Sequence, residues 1–220
     1  MVYEFRYNQV FRHFDVLLEG AWLTVQLSAS AMALGLLIAI ACALIKTDGP
    51  RPARLLVNAY VEVIRNTPFL VQIFIVFFGL PNLGLRLSAS QAALIGLSIN
   101  LGAYATEIVR AGIESIPRGQ IEAGVSLGLS RLQVFRYVII MPALKAIYPA
   151  LSSQFIILML ASSIVSQISA EELFHSAAFL ESRTFLNFEI YSIVAVMYLV
   201  LSIAFRGALN LVRLAVFRRP

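Results

Sequence analysis

Five stretches of the chain are apolar for about as long as a bilayer core demands, roughly 20 residues per helix: residues 21–45, 55–80, 91–113, 146–168 and 188–211. Between them, polar residues gather in short clusters that carry start and stop signals. Ser88 with Gln91, Ser130 with Gln133, and Ser169 with Glu172 have the Ser-x-x-Glu/Gln spacing of a capping box at a helix start. "KTDGPRPAR", residues 46–54, reads as a Gly/Pro turn between the first two runs. The pattern predicts an all-α integral membrane protein with five transmembrane helices, residues 1–220 forming one transmembrane domain. No connection is large enough for a separate soluble domain. No internal repeat is visible, which weighs against a secondary transporter, since many such folds are built from paired repeats.

Composition sharpens this picture. Hydrophobic residues make up 60% and charged residues 13%, about half the roughly 25% charge of an average soluble domain, and the mean hydropathy is +0.84. The net charge of +5 does not point to nucleic acid, because these charges lie between apolar runs and not on one solvated face. The first run is preceded by Glu4, Arg6, Arg12, Asp15 and Glu19 and exceeds the roughly 7 to 15 residues of a signal-peptide core; it is expected to be a span. Cys42 is the only cysteine, which leaves no intrachain disulfide or thiolate cluster. His13 and His175 lie far apart outside the apolar runs, so no metal site is expected.

Positive charge is retained in the cytoplasm and sets orientation. Lys46, Arg51, Arg54, Arg110, Arg118, Arg131, Arg136, Lys145, Arg206, Arg213, Arg218 and Arg219 fall on one side, and Arg6, Arg12, Arg86 and Arg183 on the other. The N-terminus is therefore expected outside and the C-terminus in the cytoplasm.

On that topology residues 118–145 form the longest cytoplasmic connection. Pro117 ends or bends the third helix, "RGQIEAGVSLGL" forms a short helix, and Gly128 closes it in a left-handed conformation. A second helix starts at Arg131 and runs toward Pro142 at the membrane surface. A headgroup-bound connector is one reading. Ala123, Gly124, Ser126, Gly128 and Ser130 offer little apolar area for it, whereas small residues let another protein approach closely.

Ionisable groups inside spans are costly and face the protein interior, a partner or a watery path. Glu62 and Arg65 share a helical face and can neutralise each other; Arg65 lies about 15 Å into its span. Asn66, Thr67 and Gln72 add polarity there, and Pro68 bends the helix. These residues either admit a charged or zwitterionic solute or form an internal pair that holds helices together. Asn100 and Tyr104 line the same path or bond between helices. Ser162, Ser163 and Gln167 line it or serve packing. Glu107 and Arg110, with Glu114, are read as a structural or gating pair near the cytoplasmic boundary.

"EAGVSLGLSRLQVFRYVIIMP", residues 122–142, resembles the EAA loop of ATP-binding-cassette (ABC) importer permeases: Glu122, Ala123 and Gly128 match, with Val138 and Ile140 at the Ile and Leu positions. Gly124 replaces the second Ala, which would loosen that turn, and Met141 holds the Pro position with Pro142 one later. "EVIRNTPFLVQIFIVFFGLP", "AYATEIVRAGIESIPRGQIEA" and "GAWLTVQLS" are similar to segments of the polar amino-acid branch. Leu160–Ile164 stands where many relatives resemble Lys-Asp-Thr/Ser-Ser-Leu, so relatives' substrate rules do not transfer.

The resemblance implies the type I importer permease fold with a cytoplasmic coupling helix, Arg118, Gly119, Gln120, Glu122, Ala123, Gly124, Gly128 and Ser130 meeting an ATPase. It implies two cytoplasmic ABC ATPase subunits, a second permease chain, identical or similar, and an extracytoplasmic binding protein that delivers a polar amino acid, all at the inner membrane of a bacterium among membrane lipid. No phosphate-binding Gly-x-x-x-x-Gly-Lys-Ser/Thr loop is present, so no cofactor is expected on this chain and ATP and Mg belong to the partner. Two other readings are an intramembrane enzyme and a non-transport membrane subunit. The first lacks a nucleophile–base pair at matching depth; the EAA-like loop counts against the second.

Overall fold

The structure, a computed structural model, describes residues 5–217; Glu4, named above as preceding the first run, and Arg218 and Arg219, used for orientation, lie outside the described residues. A short helix α1 (Tyr7–Phe11) leads into α2 (Phe14–Asp48), and α3 (Arg51–Arg65) follows the Gly49-Pro50 turn. After a break, α4 (Phe69–Phe74) continues through a π turn (Ile75–Gly79) and a 3₁₀ turn (Leu80–Leu83). Then come α5 (Ala89–Glu114), α6 (Arg118–Ser126), α7 (Arg131–Val134), a π turn (Phe135–Ile139) and α8 (Ile140–Ala161), which ends in a 3₁₀ turn (Ser162–Ile168). Helices α9 (Leu173–Thr184) and α10 (Asn187–Phe217) complete the bundle. Four helices are long and apolar enough to cross a membrane, and a bent pair supplies a fifth.

The centre of the bundle is α5. Of its most apolar stretch 61% is buried, against 17% for α10, because small residues on α5 let neighbours reach its backbone. A Cβ on Gly112 would lie 2.2 Å from Ile147 Cγ2, and one on Gly102 would lie 2.7 Å from both Ile38 Cγ2 and the Tyr60 hydroxyl. Leu101 fills the space that Gly35 leaves on α2. Ser88 begins α5 with a complete capping box to Gln91, as its spacing predicts.

The bend expected at Pro68 is sharp: Arg51–Arg65 and Phe69–Leu83 meet at 110°. Other expectations need correction. The connection read as residues 118–145 closes at Ser130, whose capping box with Gln133 starts a helix that is continuous from Arg131 to Ile168. Residues 131–145 therefore belong to the fourth span, because the π turn Phe135–Ile139 takes in an extra residue before Pro142 and spares the helix a break. Ser169 does not cap a helix with Glu172; it sits in the left-handed region (φ 61) closing the 3₁₀ turn, and Glu172 is itself the N-cap of α9. A helix does start here, as the capping spacing predicts, but it is the separate 12-residue helix α9, which lies between the spans.

Candidate functional site

Helix α6 is built to stand apart from the bundle. Pro117 starts it, its ring holding φ at −57°. Gly128, at φ 80, ends it. The Leu129 N–H donates to Gly124 O and the Gly128 N–H to Val125 O, the paired bonds of a Schellman close. Gly124 does not loosen the turn as expected: it stays helical and buried, and a Cβ there would press on Val134 Cγ2 at 3.3 Å. Its small size thus lets α6 lie against the start of the fourth span. Arg118, Gly119, Gln120, Glu122, Ala123, Gly128 and Ser130 are all exposed. Beside them Val125 and Leu127 are 57% and 82% exposed, so the surface sets Arg118, Gln120 and Glu122 next to bare aliphatic groups.

The second region is the break between α3 and α4. A helix leaves its last four carbonyls without intrahelical partners, and in a bilayer water cannot serve them. Here each finds one. Glu62 O accepts from Asn66 Nδ2 at 2.8 Å, Val63 O from Thr67 Oγ1 at 2.8 Å and Ile64 O from Gln72 Nε2 at 2.7 Å. Arg65 O accepts a longer bond, 3.5 Å, from the Tyr104 hydroxyl. Gln72 also donates to Thr67 O and Oγ1, both at 2.9 Å, and accepts from Asn100 Nδ2 at 2.9 Å. The sequence Asn-Thr-Pro followed by Gln four residues later thus carries its own capping groups, while Asn100 ties them to α5.

Glu62 and Arg65 do not neutralise each other as expected. The Glu62 carboxylate accepts from Asn66 Nδ2 at 2.9 Å. Arg65 turns the other way and places its guanidinium 5.5 Å from the centre of the Tyr104 ring, a cation–π distance. Arg65 and Tyr104 line an open groove of about 560 Å³ between the end of α3, α5 and α8, with Glu107, Ile108, Ser115 and Gln154; Glu62, Asn66, Thr67, Pro68, Gln72 and Asn100 do not line it. Gln154 carries no signal in the sequence, being one amide in an apolar run; the α5–α8 packing is what brings it to Arg65's groove. Ser162, Ser163 and Gln167 are not among the lining residues. The Ser162 and Ser163 hydroxyls donate to Met159 O and Leu160 O, three residues back in their own helix.

Glu107 and Arg110 do pair, at 2.9 Å, within a larger network. Lys46 of α2 bonds the other Glu107 oxygen, and Arg110 also holds Glu114. This fastens α2 to α5 beside the groove.

At the far end of α2 lies a different carboxylate. Glu172 is fully buried; it accepts from the Tyr198 hydroxyl at 2.6 Å, the His175 N–H at 2.7 Å and Thr24 Oγ1 at 3.4 Å. Burial pushes its carboxyl above the ordinary range, and these donors work against that rise. The cluster anchors α9 to α2 and α10; the sequence marked Glu172 only as a capping residue near a helix start, not as a buried acid.

Comparison with known proteins shows the family of the chain as a whole. A family described as "Binding-protein-dependent transport system inner membrane component" matches residues 32–217. The chain is 36% identical over 201 residues to the probable glutamine ABC transporter permease protein GlnM of Bacillus subtilis, covering 91% of this chain and 93% of that one. It is 36% identical to the glutamine transport system permease protein GlnP of Escherichia coli over 202 residues, 91% and 92% of the two chains. Among solved structures, an amino acid ABC transporter crystallised with histidines aligns with a TM-score of 0.87 at 37% identity, over 96% of this chain and 98% of that one. The MetNI methionine ABC transporter, inward facing, shares the fold with a TM-score of 0.77 at 21% identity, over 91% and 96% of the two chains.

Proposed function

We propose that this chain, which belongs to the family of binding-protein-dependent transport system inner membrane components, moves a polar amino acid through the membrane as the permease subunit of an ABC importer. It is a multi-pass inner-membrane subunit of a system that works with ATPase subunits and a binding protein, and it is a transport subunit, not an enzyme. The observation that carries the amino-acid reading is likeness along nine tenths of the chain to permeases named for glutamine and to an amino acid transporter.

Two ATPases bind ATP and Mg, and this chain binds no cofactor. Two permease chains, identical or similar, enclose one path, with the N-terminus outside and the C-terminus in the cytoplasm. The exposed α6, around Glu122, is the contact with an ATPase. When ATP closes the ATPase pair, the two docked helices are drawn together and the groove turns outward toward the loaded binding protein. Arg65 faces the groove as a cation without a carboxylate partner among the described residues; it receives the carboxylate of the amino acid, with Gln154 across the groove as an amide for the side chain or ammonium. The wall near Glu107 is fixed by its links to Lys46 and Arg110, so motion at α6 reaches the groove through a stiff α5.

The test is Glu122→Lys in the assembled transporter reconstituted into liposomes with its binding protein. Charge reversal on an exposed residue leaves the spans folded, and the expected result is loss of uptake together with loss of the co-purifying ATPase. Uptake at the normal rate would show that α6 does not couple transport to ATP.

A further inference from the structure

Where α2 ends and α3 begins, a separate pocket of about 390 Å³ is lined by Lys46, Arg51, Arg54, Leu55, Asn58, Arg110 and Glu114. Its charges are unbalanced. Lys46 and Arg110 are held by Glu107 and Glu114, which leaves Arg51 and Arg54 with no carboxylate within ion-pair distance among the described residues. Four cations thus meet two acids, and both excess charges are guanidinium groups, whose fixed planar forks suit phosphate oxygens.

The place of the pocket narrows the ligand. Lys46 lies in the last turn of α2 and Glu114 ends α5, so the pocket sits at the end of two spans, at headgroup depth. Arg51, Leu55 and Asn58 fall on one face of α3 by their spacing of three and four. Leu55 in the pocket wall and Leu56 beside it on α3 are 68% and 73% exposed, an apolar surface next to the cations. A soluble anion would use the charges and leave this apolar wall unused.

We infer that this pocket binds the phosphate of an anionic phospholipid. Arg51 and Arg54 donate to the phosphate oxygens, Asn58 offers its amide to the polar headgroup beyond the phosphate, and the acyl chains run along Leu55 and Leu56. The anionic lipid is preferred over a zwitterionic one because the pocket already holds surplus positive charge and repels a further ammonium group. The site is distinct from the groove beside Arg65 and does not depend on what that groove carries or on which side of the membrane it faces.

The experiment places the assembled transporter in nanodiscs of equal phosphatidylglycerol and phosphatidylcholine and reads the retained lipids by native mass spectrometry. The wild type is expected to keep phosphatidylglycerol in preference, and Arg51→Gln/Arg54→Gln to lower the ratio of the two lipids about tenfold. Arg51→Gln alone, which serves if the double variant does not assemble, is expected to lower it about threefold. Arg51→Lys keeps the charge and should keep most of the preference. Millimolar inorganic phosphate should displace none of the lipid. An unchanged ratio in the Gln variants overturns the proposal. So does displacement by phosphate, which would make the occupant a soluble anion, and so does a loss of assembly without a change in ratio, which would make it an acidic partner chain.

Discussion

Pro68, Pro142 and Pro149 all stand within spans of this chain, and only Pro68 breaks its helix. At Pro68 the chain turns by 110° between α3 and α4; at Pro142 a single helix runs on from Arg131 to Ile168. The proline ring removes the same donor and creates the same clash in both places. What differs is the company. Around Pro68 stand Asn66, Thr67 and Gln72, whose side chains take up Glu62 O, Val63 O and Ile64 O. Before Pro142 the backbone widens into the π turn Phe135–Ile139, with the Ile140 N–H reaching Phe135 O, and the ladder continues. In lipid a broken helix survives only if its carbonyls are served, so the polar residues, more than the proline, decide where a span can open and bear a groove.

The largest effect should come from Gln72→Leu. Gln72 is 9% exposed; the two N–H groups of its amide serve three acceptors on Ile64 and Thr67, and its oxygen takes a bond from Asn100. Leucine fills the volume and leaves those groups without their partner, each costing about 1–3 kcal/mol if nothing replaces it. Partial replacement is normal in membranes, so a loss of roughly 2–4 kcal/mol in stability is expected. Thermal unfolding of the assembled transporter in mild detergent measures it. A change below about 0.5 kcal/mol, the range of ordinary surface substitutions, would mean the break stands without its side-chain caps.

Asn100→Leu should cost less, because it removes one interhelical bond and leaves the caps in place. Such bonds couple by about 0.6 kcal/mol on average and at most roughly 1.7 kcal/mol. A double-mutant cycle with Gln72→Leu isolates that coupling. A coupling of zero would mean that α5 merely lies beside the break and does not hold it.

The same contrast explains what the sequence discloses. The capping boxes at Ser88 and Ser130 and the left-handed Gly128 are local, settled within a few residues, and the spacing reveals each of them. Asn-Thr-Pro announced polarity and a bend in the second span. The size of the bend depends on Gln72 reaching back across the turn and on Asn100 arriving from another helix, and neither reach is written in a spacing. Long-range partners were lost in the same way. Glu62 and Arg65 have ideal spacing for a pair, yet Arg65 is drawn to the Tyr104 ring on α5; Glu107 takes the predicted Arg110 and also Lys46 from α2. Gln154 and Glu172 acquire meaning only through packing, one in the groove wall and the other sealed under Tyr198 and Thr24.

The smallest expected effect belongs to Pro142→Ala, and it is the sharpest check on the comparison. If the π turn has already absorbed the cost of the missing donor, restoring an N–H at residue 142 gains one backbone bond to a helix that was continuous without it. It also gives back some backbone freedom to the unfolded chain, which opposes the gain. The two contributions are of similar size, so stability should move by no more than about 1 kcal/mol in either direction. The distance between spin labels at exposed Leu132 and Leu144, on either side of the π turn, should stay within the width of the wild-type distribution. A large shift would show that Pro142 itself sets the course of the fourth span. The contrast with Pro68 would then lie in how far each proline bends its helix, and the polar residues around Pro68 would be a consequence of the break instead of its cause.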